Sequence, residues 1–129
     1  MEKETVEGLA VNSPEENNLT DVAISPAAEH MIDDNFENLL EEGGIMPLGK
    51  DYLLVEMSFL QASINLDSAI EKTTKSGYFP ILAHPERYLY LKDNQKVFKS
   101  LKKRGTSLQL NLLSLGEYYG SDTLSLIHI

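Results

Sequence analysis

The chain has 129 residues, 42% hydrophobic and 24% charged, a balance that suits one domain with an apolar core. Asp and Glu outnumber Lys and Arg by 20 to 11, and the formal charge of -9 repels phosphate backbones, which argues against nucleic-acid binding. Cysteine is absent, so a disulfide framework and thiolate chemistry are excluded, and no apolar run approaches the roughly 20 residues that span a bilayer.

Residues 1–20 are polar, rich in Glu and Asn and weakly periodic, with a short helical pattern at Val6, Leu9 and Ala10 before a loop at Ser13-Pro14. They read as a poorly defined N-terminal segment without the apolar stretch of a signal peptide, so the expected location is cytoplasmic. A short β-type run follows at residues 22–25. Residues 35–42 predict a helix, with Phe36, Leu39 and Leu40 on one face and Gly43-Gly44 as its stop. Residues 52–57 form a near-continuous apolar run, expected of a strand buried on both faces. Residues 65–76 predict a second helix through Leu66, Ala69, Ile70 and Thr73, with Gly77 at its end. A third strand is expected at residues 80–84, and a third helix at residues 93–104 through Asn94, Val97, Phe98 and Leu101, closed by Gly105. Residues 107–112 predict a fourth strand.

The order is βαβαβαβ. Apolar strands alternating with amphipathic helices imply an α/β fold with a parallel sheet and right-handed crossovers. Pattern alone leaves both a barrel and an open sheet available, and four strands do not close a barrel of the eight-stranded kind. The last six residues, Leu124-Ser-Leu-Ile-His-Ile, match the translation of a sequencing adapter, and the expected domain is therefore residues 21–123. The alternative is a short apolar terminal strand.

Three side chains stand at corresponding places in successive βα units. Glu29 follows the first predicted strand, Glu56 sits late in the second and His84 ends the third, at spacings of 27 and 28 residues. Parallel strands present their C-terminal ends to one rim, where ligands bind. Imidazole and carboxylates suit Mn, Fe or Zn. Glu29 alone would pass for a solvated loop residue. Glu56 is different, because a carboxylate inside Leu53-Leu-Val-Glu-Met costs several kcal/mol unless it is paired or metal-bound. Taken alone, His84 could equally be a core histidine, but Glu86 and Arg87 follow it closely. Arg87 has the planar fork that pairs with phosphoryl oxygens, its alternative being an ion pair with Glu86 or Glu56. Carboxylates, a histidine and an arginine together are the equipment of phosphate-ester hydrolysis. His30 reads as structural. Lys102-Lys-Arg reads as a basic helix end favoured by the helix dipole.

At these residues the sequence resembles the PHP-superfamily tyrosine phosphatases of capsular and exopolysaccharide operons. The matching blocks are Ala27-Ala-Glu-His-Met-Ile-Asp-Asp-Asn-Phe, Leu48-Gly-Lys-Asp-Tyr-Leu-Leu-Val-Glu-Met-Ser-Phe, Gly77-Tyr-Phe-Pro-Ile-Leu-Ala-His-Pro-Glu-Arg-Tyr and Gln109-Leu-Asn-Leu-Leu-Ser-Leu with Tyr118-Tyr-Gly. The resemblance implies a partial, distorted (β/α) barrel of the PHP type. It implies several divalent metal ions, commonly Mn, with Glu29, Glu56 and His84 as ligands and Arg87 as the phosphate-binding arginine. It also implies a partner, a bacterial tyrosine kinase carrying a phosphorylated C-terminal tyrosine cluster. The family's H-x-H and Asp-x-His motifs have no counterpart here. The chain is therefore expected to be a fragment with little phosphatase activity alone, prone to self-association through exposed sheet edges. Two alternatives stay open: a PHP-type phosphoesterase for a small phosphomonoester such as histidinol phosphate, and a non-catalytic truncated domain.

Overall fold

Residues 23–116, 118–121 and 123 are described by the structure, a computed structural model of the chain. The N-terminal segment 1–20 and the six terminal residues lie outside them. Four strands, β1 (Glu29–Met31), β2 (Tyr52–Glu56), β3 (Phe79–Ala83) and β4 (Ser107–Gln109), form one parallel sheet in sequential order. Helices α1 (Phe36–Glu41), α2 (Leu66–Lys75) and α3 (Lys96–Lys103) connect them. The apolar spacing that predicted these helices is the spacing that buries them: Phe36 and Leu40, then Leu66, Ala69, Ile70 and Thr73, then Phe98 and Leu101.

Two strand assignments need correction. The first strand is not at residues 22–25, of which Val22 lies outside the described residues. Ala23, Ile24 and Ser25 are exposed, belong to no strand and run into Pro26, which has no N–H to offer a ladder. The paired segment comes later, with Glu29 opposite Leu54 and Met31 opposite Glu56. The fourth strand is also shorter than its apolar alternation suggests. It ends at Gln109, and the chain turns into a 3-10 helix at Leu112–Gly116. The cause is Glu86, whose Oε1 accepts hydrogen bonds from the Asn111 N–H (3.1 Å) and the Ser114 hydroxyl (2.6 Å) and so draws the chain off the sheet edge.

The register sorts side chains onto two faces. Leu53, Val55 and Leu82 point into the main core with the buried sides of all three helices. Glu29, Met31, Leu54, Glu56, Ile81 and Ala83 share the opposite face, where Tyr52 and Phe79 also stand, about half exposed, with ring centroids 5.7 Å apart. A sheet that reverses its strand order carries helices on both faces. Here the order never reverses and the helices cover one face only, which is the arrangement of an arc of a (β/α) barrel. Among the described residues, no helix is long and apolar enough to cross a membrane.

Candidate metal centre

The helix-free face carries Glu29 and Glu56, and its C-terminal rim carries His84. Glu29 opens β1 rather than following a strand, a consequence of the later position of that strand. It still shares a face with Glu56, the last residue of β2, because each lies opposite a residue one pleat period from the other. His84 comes directly after β3. Its backbone has φ 35° and ψ 56°, the left-handed region that costs a non-glycine residue about 1–2 kcal/mol.

Local bonds hold that strained turn. The His84 N–H donates to the Gln109 carbonyl (2.8 Å), and the His84 carbonyl accepts from the Arg87 N–H (2.9 Å). Below it, the fully buried Tyr88 hydroxyl donates to the Ala83 carbonyl (3.1 Å) and accepts from the Met57 N–H (3.0 Å), linking the ends of β2 and β3. Burial pushes the Tyr88 phenol well above its usual range, so it remains a donor.

The turn aims the His84 Nε2 at two carboxylates. It lies 3.3 Å from Glu29 Oε2 and 3.3 Å from Glu56 Oε2, and one ligand atom from each residue lies within 4.8 Å of the others. Ligands about 2.1 Å from one ion stand about 3.4 Å apart in a tetrahedron and about 3.0 Å apart in an octahedron. The two separations from His84 fall between these values and the whole group lies within 4.8 Å, so the residues present fit a divalent cation. The electrostatics agree. Burial, followed by the charge of Glu29, raises the Glu56 carboxyl above its usual range, and His84 only partly offsets this. The other ring nitrogen, Nδ1, is buried and has no hydrogen-bond partner, so Nε2 is the atom that meets the two carboxylates. Two carboxylates and an imidazole nitrogen thus lie together.

Arg87 leaves the 3-10 turn Pro85–Arg87 that follows His84. Its guanidinium carbon lies 4.2 Å from the centroid of the Phe59 ring and 4.5 Å from that of Tyr119. Phe59 also touches the His84 ring, at 5.3 Å between centroids. The alternative ion pair is not formed: among the described residues Arg87 has no carboxylate partner, and Glu86 is fully buried on Asn111 and Ser114. His30 faces away from the cluster. It accepts from the Met46 N–H on Nε2 (3.1 Å) and turns Nδ1 to the Leu54 carbonyl (3.2 Å), a structural role on both nitrogens. Arg104, at the basic end of α3, pairs with Asp67 of α2.

Sequence reasoning missed Phe59 and Tyr88 as parts of the site and took Glu86 only as a neighbour that marks His84. Phe59 has no periodicity to mark it. Tyr88 and Glu86 sit in the block after His84, but Met57, which Tyr88 ties to β3, and Asn111 and Ser114, which Glu86 holds, lie 25 to 31 residues away in sequence.

A model of the family described as "Capsular polysaccharide synthesis, CpsB/CapC" matches residues 2–128. The chain belongs to this family. Comparison with curated proteins found no match. Among solved structures, the CpsB/CapC chain is similar to one from work on YwqE from Bacillus subtilis and CpsB from Streptococcus pneumoniae, described there as unique metal-dependent tyrosine phosphatases. The TM-score is 0.79 at 21% sequence identity, and the match covers 97% of this chain and 50% of the other. That likeness establishes the shared fold, and the chain spans half the length of its structural relative.

Proposed function

We propose that residues 21–123 carry part of the site of a metal-dependent protein-tyrosine phosphatase that acts on the tyrosine-rich tail of a bacterial tyrosine kinase in capsule or exopolysaccharide synthesis. The observation that carries this reading is the convergence of Glu29, Glu56 and His84, with Arg87 linked to His84 through the Phe59 ring that touches both. Glu29, Glu56 and His84 would hold a divalent ion, with Mn the first candidate and Fe or Zn next. Such an ion supplies water activation and charge neutralisation at a phosphoryl group.

The chain's own residues do the rest. The donor edge of Arg87 binds phosphoryl oxygens and stabilises the charge that builds on them. Phe59 and Tyr119 hold the guanidinium plane. Tyr88 fixes the spacing between the rim ends of β2 and β3, and so the distance between Glu56 and His84.

The test compares hydrolysis of a phosphotyrosine peptide with that of histidinol phosphate in the presence of Mn. Whatever the absolute rate, the peptide is the better substrate, and Arg87→Ala lowers its turnover by about 10²–10³-fold, the usual loss on removing a group that binds the transition-state charge. Preference for histidinol phosphate would favour the small-molecule phosphoesterase, and turnover indifferent to Arg87→Ala would remove the assigned role of that residue.

A further inference from the structure

Helix α3 concentrates positive charge in an acidic chain. Residues 96–104 hold five of the eleven Lys and Arg and none of the twenty Asp and Glu. Lys96, Lys99 and Lys103 stand at i, i+3 and i+7, so they form one row on the side of the helix opposite its buried residues Phe98 and Leu101. All three lysines are exposed, and among the described residues none has a carboxylate partner. The neighbouring charges of the helix layer are compensated. Lys75 pairs with Glu71, Lys72 with Glu37 and Glu41, and Arg104 with Asp67. The row also destabilises its own helix. Lys99 and Lys103 are like charges at i, i+4, with Lys96 one turn away. The helix dipole favours Lys102 and Lys103 in the last turn but opposes Lys96 in the first. Local structure therefore does not account for the row.

We propose that this lysine row is a docking surface for an anionic lipid bilayer, to which the chain adsorbs peripherally. The partner follows from the chemistry of the row. It consists of ammonium groups on flexible stems, with no guanidinium fork for a bidentate contact and no aromatic ring on which a base would stack. Such a row responds to the density of negative charge rather than to shape, and a flat layer of anionic headgroups supplies that density. The apolar side of α3 is packed in the core, so the contact is electrostatic and involves no insertion. The formal charge of -9 opposes it only weakly, because at physiological ionic strength the Debye length is about 8 Å and distant charges are screened. The row also sets an orientation. It looks outward from the helix layer, whereas Glu29 and Glu56 lie on the helix-free face of the sheet, so a bound chain keeps its acidic cluster away from the anionic surface.

The experiment is flotation of the full chain with vesicles of phosphatidylcholine, alone or mixed with about one-third phosphatidylglycerol, at roughly 0.15 M and 1 M salt. Flotation separates bound chain from self-associated chain, which does not rise. Binding is expected only to the anionic vesicles and only at the lower salt. Lys99→Gln lowers the partition by about fivefold, the contribution of one lysine near a charged bilayer. The combined variant with Lys96→Gln, Lys99→Gln and Lys103→Gln falls to the level of phosphatidylcholine alone. Lys50→Gln removes an exposed lysine ahead of β2, off the row, and leaves the partition unchanged. All four positions are exposed, so the variants are expected to fold, and thermal melts check this. No binding to anionic vesicles, equal binding to neutral ones, or equal losses in Lys50→Gln and Lys99→Gln would overturn the proposal. Binding of polyglutamate or duplex DNA without binding of the vesicles would also overturn it and assign the row to a soluble polyanion. The phosphatase reading is independent of every one of these outcomes.

Discussion

Glu56 is the residue on which the chemistry turns, and its environment has a consequence for stability. Its carboxyl is raised above the ordinary value of 4.5 by burial and by Glu29. Between that value and the higher folded-state value, the folded chain binds more protons than the unfolded one, so its stability falls as pH rises through the window. Glu56→Gln removes this penalty. Without metal, the glutamine variant should therefore be the more stable of the two at neutral pH, with the gap closing below about pH 4. Added Mn should reverse the order by stabilising the parent chain more than the variant. Melting curves at both pH values, with and without Mn, check this, and a gap independent of pH contradicts it. The carboxylate was legible in the sequence because it interrupts an apolar strand. Glu86 was legible only as a neighbour of His84. Its task of holding Asn111 and Ser114 depends on a fold that brings residues 25 and 28 positions away to one buried oxygen. Removing that oxygen in Glu86→Ala leaves two donors unpaired and should cost about 1–3 kcal/mol, measurable by denaturant unfolding.

At the scale of elements, the helices were readable because each buries a face spaced by its own period, and glycines with positive φ, among them Gly77 at 89° and Gly105 at 87°, close α2 and α3. The outer strands were not readable in the same way. β1 and β4 have three residues each, too few for a pattern, and take their positions from pairing with β2 and β3. The joint between the inner strands is Tyr88. Tyr88→Phe keeps the packing and deletes the hydroxyl, leaving the Met57 N–H without its acceptor. Unfolding free energy should drop by about 1–3 kcal/mol. Metal affinity should fall too, because Glu56 and His84 lose their common tie. A variant that loses stability but binds metal as the parent does would separate the joint from the site.

For the whole molecule, the one-sided cover of the sheet matters most. Three helices shield Leu53, Val55 and Leu82, whereas Tyr52, Phe79 and Met31 stand 47%, 58% and 40% exposed on the other face. β1 and β4 also present unpaired outer edges within the described sheet. Concentration-dependent association of the chain in sedimentation velocity is the expected outcome, and a single monomeric species across a hundredfold range, on the order of what such runs span, would contradict it. Alternating strands and helices made the α/β class legible in the sequence, but not the choice between barrel and open sheet. That choice depends on which face each crossover covers, which no local pattern encodes.

The most direct test of the account is a Mn titration of the chain by calorimetry alongside four variants. Glu29→Gln, Glu56→Gln and His84→Ala should each weaken binding by at least about tenfold. Glu71→Gln, which removes an exposed α2 carboxylate that is paired with Lys75 and is not one of the three ligands, should leave binding unchanged. Absence of saturable binding, or equal losses in all four variants, would contradict a metal centre at Glu29, Glu56 and His84.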